Sequence, residues 1–221
     1  VTSAETHAGE DRTAVLRSRI RLIVAITIGY NVVEAVVAIS AGTAASSGAL
    51  IAFGLDSTIE VLSAAAVAWQ FTRRDPERWE KGTLRVIAVA FFALALYVGA
   101  SAVSTLLTGR EAEHSTTGIV LTALSVMIMP FLSFAERRAG RELGSATAVA
   151  DSKQTLICSY LSAAVLVGLL LDSLLGWWWA DPIAALVIVV FAVREGIEAW
   201  KGDACATSVG MILEDHADEH Q

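Results

Sequence analysis

The chain has little of what soluble enzymes are built from. Of its 221 residues only 18% are charged, four are histidine, three are proline and two are cysteine. Cys158 lies in an apolar run and Cys205 near the C-terminal end, so a structural disulfide is not expected. Sixteen basic residues stand against 23 acidic ones, a net charge of -7 without any basic patch, which excludes a nucleic-acid surface. There is no nucleotide-binding loop, no zinc-protease motif and no nucleophile elbow, so neither an ATP-driven pump nor a hydrolase of soluble type is supported, and no enzyme is expected. The opening residues VTSAETHAGEDRTAVL lack the basic-then-apolar order of a cleaved signal peptide, and insertion is expected to begin at the first span.

What is present is apolar. Hydrophobic residues make up 55% of the chain and the mean hydropathy is +0.59, values that point to an integral membrane protein. One stretch organises the rest: residues 47–72, SGALIAFGLDSTIEVLSAAAVAWQFT, long enough to span a bilayer yet carrying Asp56 and Glu60. An ionised carboxylate at the centre of a span costs at least ~2.5 kcal/mol. At i and i+4 the two stack on one helix face, where their oxygens could reach one cation or share one proton. A polar stripe facing a wet groove, or paired with a base on another helix, is the plainer reading; two acids at helical spacing favour the cation site.

The fold expected is all-α, a bundle of six transmembrane helices at about 19–41, 48–72, 83–108, 116–135, 146–171 and 180–200. Residues 1–16 are expected to be a disordered tail, and residues 202–221 a short acidic tail carrying His216 and His220. The link AGTAASS makes the first two spans an antiparallel hairpin, RRDPERWEKGTLR reads as a solvated loop, and Pro130 predicts a kink in the fourth span. Trp177, Trp178 and Trp179 suit an interfacial aromatic belt, and Asp181 before Pro182 reads as the N-cap of the sixth helix. Arginines and lysines collect at the N-terminal flank, in 73–85, at Arg137, Arg138 and Arg141, and at Arg194 and Lys201; the opposite links hold only Arg110. The positive-inside rule then puts both termini in the cytoplasm, in keeping with an even number of spans and a bacterial inner membrane.

Sliding the chain by 98 residues lays Ser47 on Ser145, Ala52 on Ala150 and Ile59 on Ile157, and puts Asp56 on Gln154 and Glu60 on Cys158. The fifth span thus offers its own i, i+4 pair of donors, an amide oxygen and a thiol. Counting about 1.5 Å of rise per residue from opposite surfaces, Asp56 comes level with Cys158 and Glu60 with Gln154, with Glu34 of the first span close by. Lipid satisfies none of these groups, so a shared hydrated site near the midplane is the economical arrangement.

The stretches NVVEAVVAISAGTAASSGALIAFGLDSTIE, SATAVADSKQTLICSYLSA and WADPIAALVIVV resemble the cation diffusion facilitator family of divalent-metal/proton antiporters, over the whole transmembrane part. The resemblance implies that the second and fifth helices each supply two ligands to a tetrahedral transport site. Asp56 and Glu60 fall on the first pair, with Glu60 in place of the usual aspartate. Gln154 and Cys158 fall where the family has histidine or aspartate, and aspartate. Glutamine is a feeble zinc ligand, and a thiolate a good one that favours softer ions. The family's usual cytoplasmic metal-binding domain has no counterpart after Ala204, so dimerisation through it is not expected, and a homodimer by another route stays open.

Burial and mutual repulsion disfavour two ionised carboxylates at Asp56 and Glu60, so at least one proton stays bound until a dication arrives. Metal ligands must be deprotonated, so metal and protons expel one another, and a site exposed to each side in turn is an antiporter. The cargo expected is a divalent cation, Zn2+ first, with Cd2+, Co2+, Fe2+ and Mn2+ as alternatives; the partners are protons and the bilayer, and no resident cofactor is expected. Asn31, Glu34, Asp151 and Lys153 are read as neighbours of the site or as proton-coupling groups. Lys153 must snorkel or pair with Asp151, Glu60 or Glu34, and Asn31 either caps a backbone break or bonds across helices. Two other classes compete: a metal-binding membrane scaffold or sensor that transports nothing, and an intramembrane hydrolase using Asp56 with Asp151 as a diacid pair. In the latter, Asp151 would lie about 10 Å nearer the cytoplasmic face than Asp56.

Overall fold

In lipid each backbone N–H and C=O must be satisfied within its own segment, so a chain this apolar has to fold as helices or a closed barrel. The computed structural model describes residues 3–71, 76–109, 112–143 and 146–201. Six α-helices account for nearly all of them: α1 (Ser3–Ala44), α2 (Gly48–Phe71), α3 (Pro76–Thr108), α4 (Thr116–Leu143), α5 (Ala146–Leu175) and α6 (Ala180–Lys201). Five contain a segment long and apolar enough to cross a membrane: Ser18–Ala44, Gly48–Ala66, Lys81–Thr108, Thr116–Glu142 and Ser152–Leu175. The sixth helix is the exception, because Asp181, Arg194, Glu195 and Glu198 are spread along its 22 residues.

Several helices overrun their expected ends. The polar residues from Ser3 onward, expected to be disordered, continue α1; the charged segment from Pro76 opens α3, and α4 runs on to Leu143. Glu, Arg and Lys are good helix formers, so charge ends an apolar span without ending the helix. The helix of α4 passes through Pro130. The tail with His216 and His220 lies outside the described residues.

The helices form a ring in the order α1, α2, α3, α6, α5, α4, and α2 also leans inward on α6 and α5. Leu50, Phe53, Val165 and Ile188 are fully buried at its centre, while Val36, Leu96, Leu107, Met127, Phe131 and Val190 point outward, the pattern of a bundle whose outer solvent is lipid. Association in lipid rests on close packing, and small residues permit it. A Cβ on Gly54 would lie 2.7 Å from Ile39 Cγ1 and 2.9 Å from the Ile39 nitrogen, so only glycine lets α2 approach α1 there.

The three short links meet at one end. Glu113 donates its N–H to the Ala45 carbonyl at 2.7 Å, and His114 of the α3–α4 link contacts Ser173 of α5. Ser47 caps α2 by accepting the Leu50 N–H at 3.1 Å, and its hydroxyl donates to Asp181. Contrary to the expectation from its sequence context, Asp181 does not cap its own helix. It sits one residue inside α6, where Trp179 supplies the carbonyl for the Ile183 N–H, and its carboxylate reaches the first amides of α2 instead. Trp177 and Trp179 are stacked and partly exposed at this end, with ring centroids 5.0 Å apart.

Candidate cation site

On α1 the buried positions Asn31, Glu34, Ala35 and Ala38 follow helical spacing, while Val32, Val33 and Val36 face outward. The buried face of α2 carries Phe53, Asp56, Ser57 and Ser63, with Glu60 half-buried, and that of α5 carries Thr155, Cys158, Leu161 and Ser162. Each polar side chain therefore lies on the stripe its helix presents to the bundle.

Glu60 is where the three helices meet. Its Oε1 accepts from the Cys158 thiol at 2.7 Å and its Oε2 from the Asn31 Nδ2 amide at 2.8 Å, and the half-buried Gln154 lies one turn before Cys158 on α5. Asp56, one turn away, is 7% exposed, and among the described residues none hydrogen-bonds its carboxylate. Its electrostatic neighbours are the other acids, Glu60, Glu195 and Glu34. The structure thus brings Glu60, Cys158 and Asn31 into contact and leaves Asp56 beside them without a hydrogen-bond partner among the described residues. Among the described residues no three His, Cys, Asp or Glu side chains converge closely enough to hold a metal ion by themselves.

Glu34 is buried to 1% exposure but fully served. Ser57 donates to its Oε2 at 2.8 Å, Ser125 of α4 donates to its Oε1, and the Tyr30 hydroxyl lies 2.7 Å from Ser125. Those hydroxyls make Glu34 a node joining α1, α2 and α4, next to the Glu60 cluster. Buried polar groups cost little when every lone pair has a donor, and much when one is left bare. Each oxygen of Glu34 has a hydroxyl donor, whereas among the described residues none donates to Asp56.

Two expectations fare differently. Lys153 is exposed and, among the described residues, pairs with neither Glu60 nor Glu34, because α5 turns it away from the stripe that carries Cys158. The Asp151 side chain lies outside the described residues. Sequence reasoning passed over Glu195 of α6, whose charge acts on both Asp56 and Glu60. The depth count would have found it: at about 1.5 Å per residue from the start of α6, it lies within a turn of Glu60's level.

Residues 22–201 match the sequence model of the cation efflux transmembrane domain. The chain is 29% identical over 147 residues to an uncharacterized transporter of Synechocystis sp., covering 62% of this chain and 47% of that protein. It is 29% identical over 128 residues to the cation-efflux pump FieF of Shewanella oneidensis, covering 58% of this chain and 40% of that one. With an uncharacterized transporter of Methanocaldococcus jannaschii it shares 23% identity over 197 residues, 85% of this chain and 68% of the other. The chain thus spans less than half the length of the first two relatives.

Proposed function

Because the chain belongs to the cation efflux transmembrane family, we propose that it exports a divalent metal cation, Zn2+ first and Cd2+, Co2+, Fe2+ or Mn2+ as alternatives, in exchange for protons. The site is the midplane cluster of Asp56 and Glu60 on α2 with Gln154 and Cys158 on α5. One observation carries the reading: the Cys158 thiol of α5 sits 2.7 Å from the Glu60 carboxylate of α2, beside the unpartnered carboxylate of Asp56. A thiol resting on a carboxylate still holds its proton. A dication that takes both groups as ligands must release that proton to water, and protons arriving from the other side release the cation. The basic residues that flank the spans support a topology with both termini in the cytoplasm of a bacterial inner membrane.

The non-transporting metal-binding scaffold or sensor remains the second reading, favoured by the absence of three converged acid, thiol or imidazole ligands among the described residues. Proteoliposomes separate the two. Transport predicts Zn2+ uptake against a pH gradient with matching proton release, both lost in Asp56→Ala. Zn2+ binding without flux supports the scaffold, and unchanged proton release in Asp56→Ala removes Asp56 from the site.

A further inference from the structure

The cluster holds a buried oxygen that no described residue satisfies. Asn31 of α1 is 7% exposed and its Nδ2 donates to Glu60 Oε2 at 2.8 Å, yet its Oδ1 is buried without any hydrogen-bond partner among the described residues. Leaving a buried amide oxygen bare is costly, so this one is placed to accept a ligand. No described side chain bonds the neighbouring carboxylate of Asp56 either. The two bare oxygen groups flank Glu60, one on α1 and one on α2.

We infer that Asn31 is a specificity-determining ligand of the cation, its side-chain carbonyl entering the coordination sphere from α1 while its NH2 group holds Glu60 in register. The inference rests on the transport site proposed above. It changes what that site selects. Asp56, Glu60, Gln154 and Cys158 from α2 and α5, giving one atom each, make a four-ligand set, which suits tetrahedral Zn2+. A neutral oxygen from a third helix raises the count to five or more and makes the set richer in oxygen, which admits Mn2+, Fe2+ and Co2+ beside Zn2+. Discrimination among divalent cations is then set at Asn31 on α1, outside the two helices that carry the acidic and thiol ligands.

Co2+ reads coordination number directly, because four-coordinate Co2+ absorbs visible light far more strongly than five- or six-coordinate Co2+. The experiment uses the full chain purified in detergent, titrated with Co2+ alone and then competed with Mn2+ and Zn2+. The wild type should give the weak spectrum of higher coordination. Asn31→Leu, close in volume, should give the intense four-coordinate spectrum and lose at least about tenfold in Mn2+ affinity relative to Zn2+. Asn31→Asp restores an oxygen and adds charge, so it should keep the weak spectrum and bind Mn2+ more tightly than the wild type; this variant decides the matter even if Asn31→Leu fails to fold. Spectrum and Mn2+ affinity unchanged in Asn31→Asp, or in folded Asn31→Leu, overturn the inference while Asp56→Ala still abolishes Co2+ binding. Co2+ binding that survives in Asp56→Ala overturns the underlying site, and the role of Asn31 with it.

Discussion

The Cys158 sulfur on α5 and the Glu60 Oε1 on α2 stand 2.7 Å apart although 98 residues separate them in the chain. The thiol donates and the carboxylate accepts, so the pair joins the two helices. If the same sulfur is a ligand when metal is bound, its softness must show in the choice of ion. Cys158→Ala and Cys158→Ser should both lower Cd2+ affinity at least about tenfold. Cys158→Ser keeps a donor for Glu60 and should disturb Mn2+ binding less than Cys158→Ala does. Isothermal titration with both ions checks this, and an unchanged Cd2+ affinity would make Cys158 a packing residue only.

The exchange of protons for metal has a sign that can be measured. Ligands must lose their protons to bind, so apparent affinity rises with pH, by about tenfold per pH unit for one proton released and about a hundredfold for two. Titrations in buffers of different ionisation enthalpy count the protons directly. Cys158→Ala removes the proton that the thiol holds against Glu60 and should lower the count by about one while weakening binding. A proton count of zero in the wild type would leave metal binding without a driving exchange.

The six helices and the polar donors of α2 and α5 are legible in the sequence because both rest on local features: apolar runs about 20 residues long, and donors at i and i+4. The register differs by a turn: the depth count sets Asp56 level with Cys158, whereas the Cys158 thiol meets Glu60. What could not be read is what depends on rotation about a helix axis or on a partner far along the chain. Lys153 adjoins Gln154 in sequence, yet it faces outward while Cys158 is buried. Nor does the run ADPIAALV announce that the carboxylate of Asp181 serves α2. Helix ends were misjudged for a plainer reason, since hydropathy marks where lipid stops and helix propensity continues past that point.

Asp181 should matter to stability more than to selectivity. Its carboxylate accepts the N–H groups of Gly48 at 2.8 Å and Ala49 at 3.3 Å and takes the Ser47 hydroxyl as well, at the positive end of the α2 dipole. Asp181→Ala leaves two buried amides and a hydroxyl short of an acceptor and should cost about 2 kcal/mol, seen as a lower thermal midpoint in detergent. Asp181→Asn keeps one acceptor oxygen and should lose less. If both variants melt with the wild type, the α2 amides find another acceptor and α6 does not hold that end of α2 in place.

The approach of α1 to α2 decides whether Asn31 can reach Glu60 at all. Gly54 lies two residues before Asp56, and a methyl group there would meet the Ile39 backbone nitrogen at 2.9 Å and the Ala38 Cβ at 3.0 Å. Backbone cannot rotate away as a side chain can, so Gly54→Ala must push the helices apart, at about 1–3 kcal/mol for an overpacked contact. Gly29 is the control, an exposed helical glycine with nothing within 4 Å of an added Cβ, where alanine should be neutral or mildly stabilising. Thermal unfolding should therefore separate Gly54→Ala from Gly29→Ala in opposite directions. Separation of α1 from α2 also pulls Asn31 from Glu60, so Gly54→Ala should lower Mn2+ affinity more than Zn2+ affinity even though neither helix loses a donor group. A fall in thermal midpoint with the Mn2+ to Zn2+ ratio unchanged would uncouple the α1–α2 contact from cation selection.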